Sequence, residues 1–371
     1  MMNFEKDEYS SWLMGYKSAE VDSPTGYLRK LQELHRIPYH GSKQEQLSIN
    51  EFSKLRRKQL SNLPGISETE DEDRNDKHDV CAEQTFYFQK IWGEILPCLP
   101  AEVADVVQGV QIGVLPSRTV NAGVMLTPYG TPIIIVDSGL LAMISFFTEV
   151  NAIGSLIIKD EDERSNYLAW HYRWILEYYE NRGEMSFPKP RPEHKLELHH
   201  AWMLQMQNIC CEIFLICHEI AHIYLGHLDD SSASKLMMPS SSVRSQENES
   251  EAQVYNHSQH EEFLADIVGY EIYMNILPRH PSLGKVDSGT QLPRTECLMI
   301  FHLMHLVENN SRKFRDITSH PSAKDRISAI FSSRFEKIQR ETGKSDEEMR
   351  GNPLLDAIYG HYQMLINARK I

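Results

Sequence analysis

Residues 209–217 are apolar apart from Glu212, and they run without a break into His218-Glu219-Ile220-Ala221-His222. Such a run is too short to span a bilayer, which takes about 20 residues, and too apolar to lie on a surface. It is therefore expected to be the buried middle of a long helix over about 195–227, around which the rest of the chain packs. Two histidines and a glutamate at its end sink polar groups into an apolar interior, which is costly unless they find a partner. Histidines four apart stand one turn above the other on one helix face, so both imidazoles can reach a single metal ion at about 2.0–2.1 Å. Glu219, beside them, is placed to take a proton from a water on that ion rather than to ligate it.

A catalytic zinc takes three protein ligands and keeps a fourth position for water. His227 follows His222 by five residues, after Gly226. The spacing H-E-x-x-H-x-x-G-x-x-H would need glycine at 225 and histidine at 228, where Leu225 and Leu228 stand, so His227 fails on register. Glu262 is the other candidate, on a second helix predicted from near Ser258, where Ser258 and Glu261 fit a capping box, to about Ile276. Asp266 lies one turn further along the same face, where it can accept a hydrogen bond from the outer nitrogen of a ligating histidine. The polar segment 229–258 between the two helices reads either as a lid or autoinhibitory loop or as a disordered insertion.

Around this core, residues 1–80 read as a polar helical region, broken at Pro24, Gly26 and Pro38, that ends in the acidic linker Ser-Glu-Thr-Glu-Asp-Glu-Asp-Arg-Asn-Asp-Lys-His-Asp at 67–79. A larger domain is expected over 81–345, with an insertion at about 150–200, and a C-terminal helix over 346–371. Strand character appears at 110–115 and 133–136, the second led by the turn Pro128-Tyr129-Gly130. Three late helices are predicted near 293–306, 322–340 and 354–369. The fold class is thus mainly α with a small β-sheet.

Composition removes several function classes. The net charge of −14, without long runs of Lys or Arg, argues against a nucleic-acid or anionic-membrane surface. The most apolar stretch, 132–158, is interrupted by Asp137 and Glu149, so no membrane span is expected. No secretory signal is visible at the start, and six cysteines without a CxxC pair suit reduced thiols, so a cytoplasmic location is expected.

In these motifs the chain resembles a gluzincin metallopeptidase, and more narrowly the HtpX and CAAX-prenyl-protease type. Asn121-Ala122-Gly123, Ile133-Ile134-Ile135-Val136 and Gly139-Leu140-Leu141 resemble that family's strand and following helix. HEIAHIYLGH at 218–227 resembles its active-site helix, Glu262 to Asp266 its E-x-x-A-D segment, and Ser319-His320-Pro321 with Arg326-Ile327 its late H-P-x-x-x-x-R-I element. The HExxH-plus-LGH segment is also similar to cytoplasmic peptidases of the Lit and ImmA types. The resemblance implies a zincin-like α+β fold with an active-site helix and an edge strand, Zn²⁺ as cofactor, and a protein or peptide substrate. It implies that strand 133–136 borders the cleft and pairs with the extended substrate, and that His320 or Arg326 stabilises the oxyanion.

The expected function is a zinc-dependent endopeptidase with His218, His222 and Glu262 as ligands, Glu219 as general base, and His320 and Arg326 as further catalytic groups. A narrow-specificity stress or phage-defence protease is one alternative. A partner-binding or regulatory protein with a structural zinc site is another.

Overall fold

The computed structural model describes residues 11–12, 14–15, 17–20, 23–35, 80–116, 120–181, 187, 198–228, 234–236, 249–281, 283, 292–311 and 321–367. Pro24 opens helix α1 (Pro24–His35) instead of breaking one, because proline at the first helical position loses an N–H that has no intrahelical partner. Helix α2 (Val80–Ile95), a 3-10 turn and the short α3 (Ala101–Val106) lead into the sheet. The acidic stretch 67–79 lies outside the described residues.

Strands β1 (Gln111–Leu115), β2 (Ala122–Leu126), β3 (Pro132–Asp137) and β4 (Ser234–Leu236) form a sheet of order β1-β3-β2-β4. β1 runs parallel to β3, while β2 is antiparallel to both β3 and β4. This corrects one expectation: strand 133–136 has a neighbour on each side and cannot offer an edge to a peptide. Its four β-branched side chains are buried whichever face they point to, the pattern of a strand covered on both faces. β2 is harder to read from sequence because glycine and methionine interrupt its apolar alternation, and β4 is only three residues long in a segment that is mostly polar.

Asp137 ends β3 and sits at the N-cap of α4 (Ser138–Ala152), which continues through a π-helical turn to Ile157. With Asp137 outside the helix, Ser138–Ile157 is long and apolar enough to cross a membrane by length and composition. Here it packs inside the fold, with 61 % of its most apolar window buried. Helix α5 (Glu161–Glu180) is capped by Asp160, whose side chain accepts the Glu163 amide, and the long α6 (Leu198–Tyr224) follows. Helix α7 (Glu249–Ile276) begins nine residues before the predicted capping box, so Ser258 lies inside it and the C-terminal part of segment 229–258 is helical. Beyond it lie α8 (Leu292–Glu296), α9 (Met299–Asn310), α10 (Ala323–Thr342), the single turn α11 (Asp346–Met349) and α12 (Pro353–Asn367).

As its apolar run requires, α6 is the central helix. Cys210, Cys211, Ile213, Phe214, Leu215, Ile216 and Cys217 have no exposed surface, and α4, α7, α9 and one face of the sheet pack around them. The other face of the sheet is covered by α1. Leu28 packs there on Leu115, Ile133 and Ile135, and the Gln32 side-chain amide donates to Val114 O and Thr85 Oγ1.

Candidate metal centre

The last two turns of α6 carry His218, Glu219 and His222, all essentially without solvent exposure. They can be buried because α7 crosses α6 in close contact and brings its own polar face. Gly269 permits that approach: a Cβ added there would lie 2.9 Å from His218 Cα and 3.2 Å from Cys217 O. Main-chain atoms cannot move aside as a side-chain tip can, so a glycine is needed where two backbones meet this closely. Glycine 269 was not singled out in the sequence, where its only signal is a position one turn beyond Asp266.

With the helices so placed, Nε2 of His218 and Nε2 of His222 are 3.0 Å apart. The Glu262 carboxylate faces both, with one oxygen 3.6 Å from His218 Nε2 and the other 3.7 Å from His222 Nε2. His218, His222 and Glu262 can together hold one metal ion, and among the described residues no other His, Cys, Asp or Glu trio is so arranged. The donor set fits the group: two imidazole nitrogens pointed at one another in a dry interior need a shared proton or a cation between them, and a carboxylate completes a zinc-type set.

Behind the cluster, His218 Nδ1 lies 3.0 Å from Asp266 Oδ1. Arg326 closes on the same carboxylate through two parallel bonds, Nε to Oδ2 at 2.5 Å and Nη2 to Oδ1 at 2.6 Å. Its Nη2 also stands 3.2 Å from Glu262. Arg326 occupies the first turn of α10, where Ser322 is the N-cap and the Ala323 amide donates to Glu308. The cap is thus Ser322, two residues beyond His320, which itself lies outside the described residues. The guanidinium is fully buried, with contacts to Asp266 and Glu262.

The titrating groups reflect this environment. Burial pushes the Glu219 carboxyl well above its ordinary value, and nearby Glu262 pushes it further; Arg326 and the Val124 backbone of β2 offset only part. Burial also raises Glu262, to about 8, against the pull of Arg326. Asp266 is desolvated as well, yet Arg326 and His218 hold it below the usual carboxylate range. Burial lowers His218 despite Asp266, favouring the neutral imidazole that a metal requires.

His227 also meets the cluster. Its Nδ1 lies 2.9 Å from Nδ1 of His222, the nitrogen turned away from Glu262.

A family profile described as Peptidase U49 matches residues 157–342, half of the chain. The chain belongs to the peptidase U49 family. The span matched to U49 includes His218, Glu219, His222, His227, Glu262, Asp266 and Arg326, so the whole cluster lies inside the region that makes this chain a U49 peptidase. No curated protein and no solved structure matches the chain.

Proposed function

We propose that this U49 peptidase is a zinc-dependent endopeptidase of the gluzincin type, with a zincin-like fold, in which His218, His222 and Glu262 hold the metal and Glu219 is the general base. One observation carries the reading: ligand atoms from α6 and α7 converge on a single point inside a peptidase, with a desolvated carboxylate next to it. A zinc ion held there would polarise the scissile carbonyl and bring the pKa of a water towards about 7.

The protein's own groups carry the remaining work. Glu219 accepts the proton of the attacking water at a carboxylate oxygen and delivers it to the nitrogen of the leaving amine. Asp266 keeps the His218 ring oriented, with its proton on Nδ1 and Nε2 free to ligate. Arg326 acts in this reading by fixing Asp266 and Glu262 rather than by touching the substrate. The oxyanion role is left to His320 on the H-P-x-x-x-x-R-I resemblance alone.

The test measures bound zinc and peptide hydrolysis in parallel, with and without a chelator. Glu219→Gln is expected to retain zinc and to lower kcat by about 10²–10⁴-fold, while Glu262→Ala loses the metal. Undiminished cleavage by the Gln variant would remove Glu219 as the base. Normal zinc content in the Ala variant would remove Glu262 as a ligand.

A further inference from the structure

The two histidines of the metal cluster are supported unequally from behind. A ligating imidazole commonly donates its other N–H to a carboxylate, carbonyl or water, which sets the tautomer and fixes the ring. For His218 that partner is Asp266, itself gripped by Arg326. His222 has its Nε2 turned inward, 3.0 Å from His218 Nε2 and 3.7 Å from Glu262, and its Nδ1 turned outward to His227.

We infer that His227 is a positioning residue for the metal site: its Nδ1 accepts the Nδ1–H of His222 and holds that ring with Nε2 towards the metal. This rests on the zinc reading above. The tautomers follow from the geometry, since a His222 that ligates through Nε2 must carry its proton on Nδ1. His227 can then only accept at Nδ1, so its own proton is on Nε2.

The backbone is shaped for this contact. On a continuing α-helix a residue five positions on would point about 140° away from His222. Here α6 stops at Tyr224, Gly226 takes φ 75°, and the His227 amide donates to the carbonyl of His222 at 3.0 Å. Residue 227 is thus tied to residue 222 through both main chain and side chain, and the two rings stand 5.1 Å apart between centroids. The same geometry explains why His227 is not the third ligand. It approaches the outer nitrogen of His222, whereas the ligand atoms face the other way.

The experiment compares zinc affinity of the full chain, by competition with a chromophoric chelator, for wild type, His227→Ala, His227→Asn and His222→Ala. Thermal unfolding of each metal-free protein is followed alongside. Asparagine carries a carbonyl oxygen on Cγ, where histidine carries Nδ1, so it can accept the same proton. The Ala variant is expected to bind zinc about 10–100-fold more weakly and the Asn variant to recover to within about threefold of wild type, with metal-free stabilities alike. His227→Phe, which keeps a ring but no acceptor, should match the alanine variant and takes its place if that variant does not fold. Wild-type affinity in both Ala and Phe variants would overturn the inference. So would an Asn variant as weak as Ala, since packing alone would then explain the loss. If wild type and His222→Ala bind zinc equally, the zinc reading itself fails and the inference falls with it.

Discussion

Arg326 shows how much one buried charge can hold. Its guanidinium has no exposed surface, lies over the Phe301 ring at 5.4 Å, and is bound by both oxygens of Asp266 and approached by Glu262. Removing one member of a buried ion pair strands the other's charge and typically costs about 3–5 kcal/mol. Arg326→Met is expected to lower unfolding stability by that order, read from the urea midpoint, and Arg326→Lys to recover little, because an ammonium cannot reproduce the two parallel bonds. An unchanged midpoint would show that Asp266 and Glu262 find other partners. At this scale His218, Glu219 and His222 were legible in the sequence, because i to i+4 spacing on a helix is a local property. The partners of Arg326 were not, since Asp266 is sixty positions away and nothing local joins them.

Between elements, the decisive contact is α6 against α7. Gly269 lets the two backbones approach, and that approach carries Glu262 and Asp266 to the histidines. Gly269→Ala would force the helices apart. A loss of about 1–3 kcal/mol in stability is expected, as for other overpacked interiors, together with weaker zinc binding; thermal unfolding and zinc titration would show both. If neither changes, the glycine is not what sets the spacing. Helix periods and apolar runs predicted α6, α10 and α12 closely, while the one helix expected near 293–306 is divided into α8 and α9. The start of α7 was misplaced because Ser258 and Glu261 match a cap in composition while sitting mid-helix. The strand 133–136 was legible as a strand, but its central place in the sheet depends on pairing with β2, whose sequence signal is weak.

For the molecule as a whole, half-buried histidines outside the metal centre shape the response to acid. His302 on α9 and His361 on α12 share a contact of 2.9 Å between Nε2 and Nδ1. Burial pushes His302 down to about 3, helped by repulsion from His361 and His305, and pushes His361 down to about 4. The unfolded chain takes up these protons from pH 6.5 downward while the folded state refuses them. The stability they contribute is therefore complete above pH 6.5 and is lost as pH falls through about 4 and 3. Glu149 and Glu308, raised by burial to about 7, act the other way, so the informative comparison is between variant and wild type. The double change H302L/H361L is expected to flatten the acid arm by about 1.4 kcal/mol per pH unit per histidine, measured by urea unfolding between pH 6.5 and 4. An identical slope in the two proteins would refute this. By itself the sequence determined the central helix, the paired imidazoles with their neighbouring carboxylate, and the helical character of what surrounds them, because periodicity and apolar runs act over a few residues. Tertiary structure alone decided that strand 133–136 is interior, that Arg326 grips Asp266 and Glu262, and that His227 turns back onto His222. Each of these depends on backbone approach and side-chain direction, set by packing or by a left-handed turn and invisible to spacing.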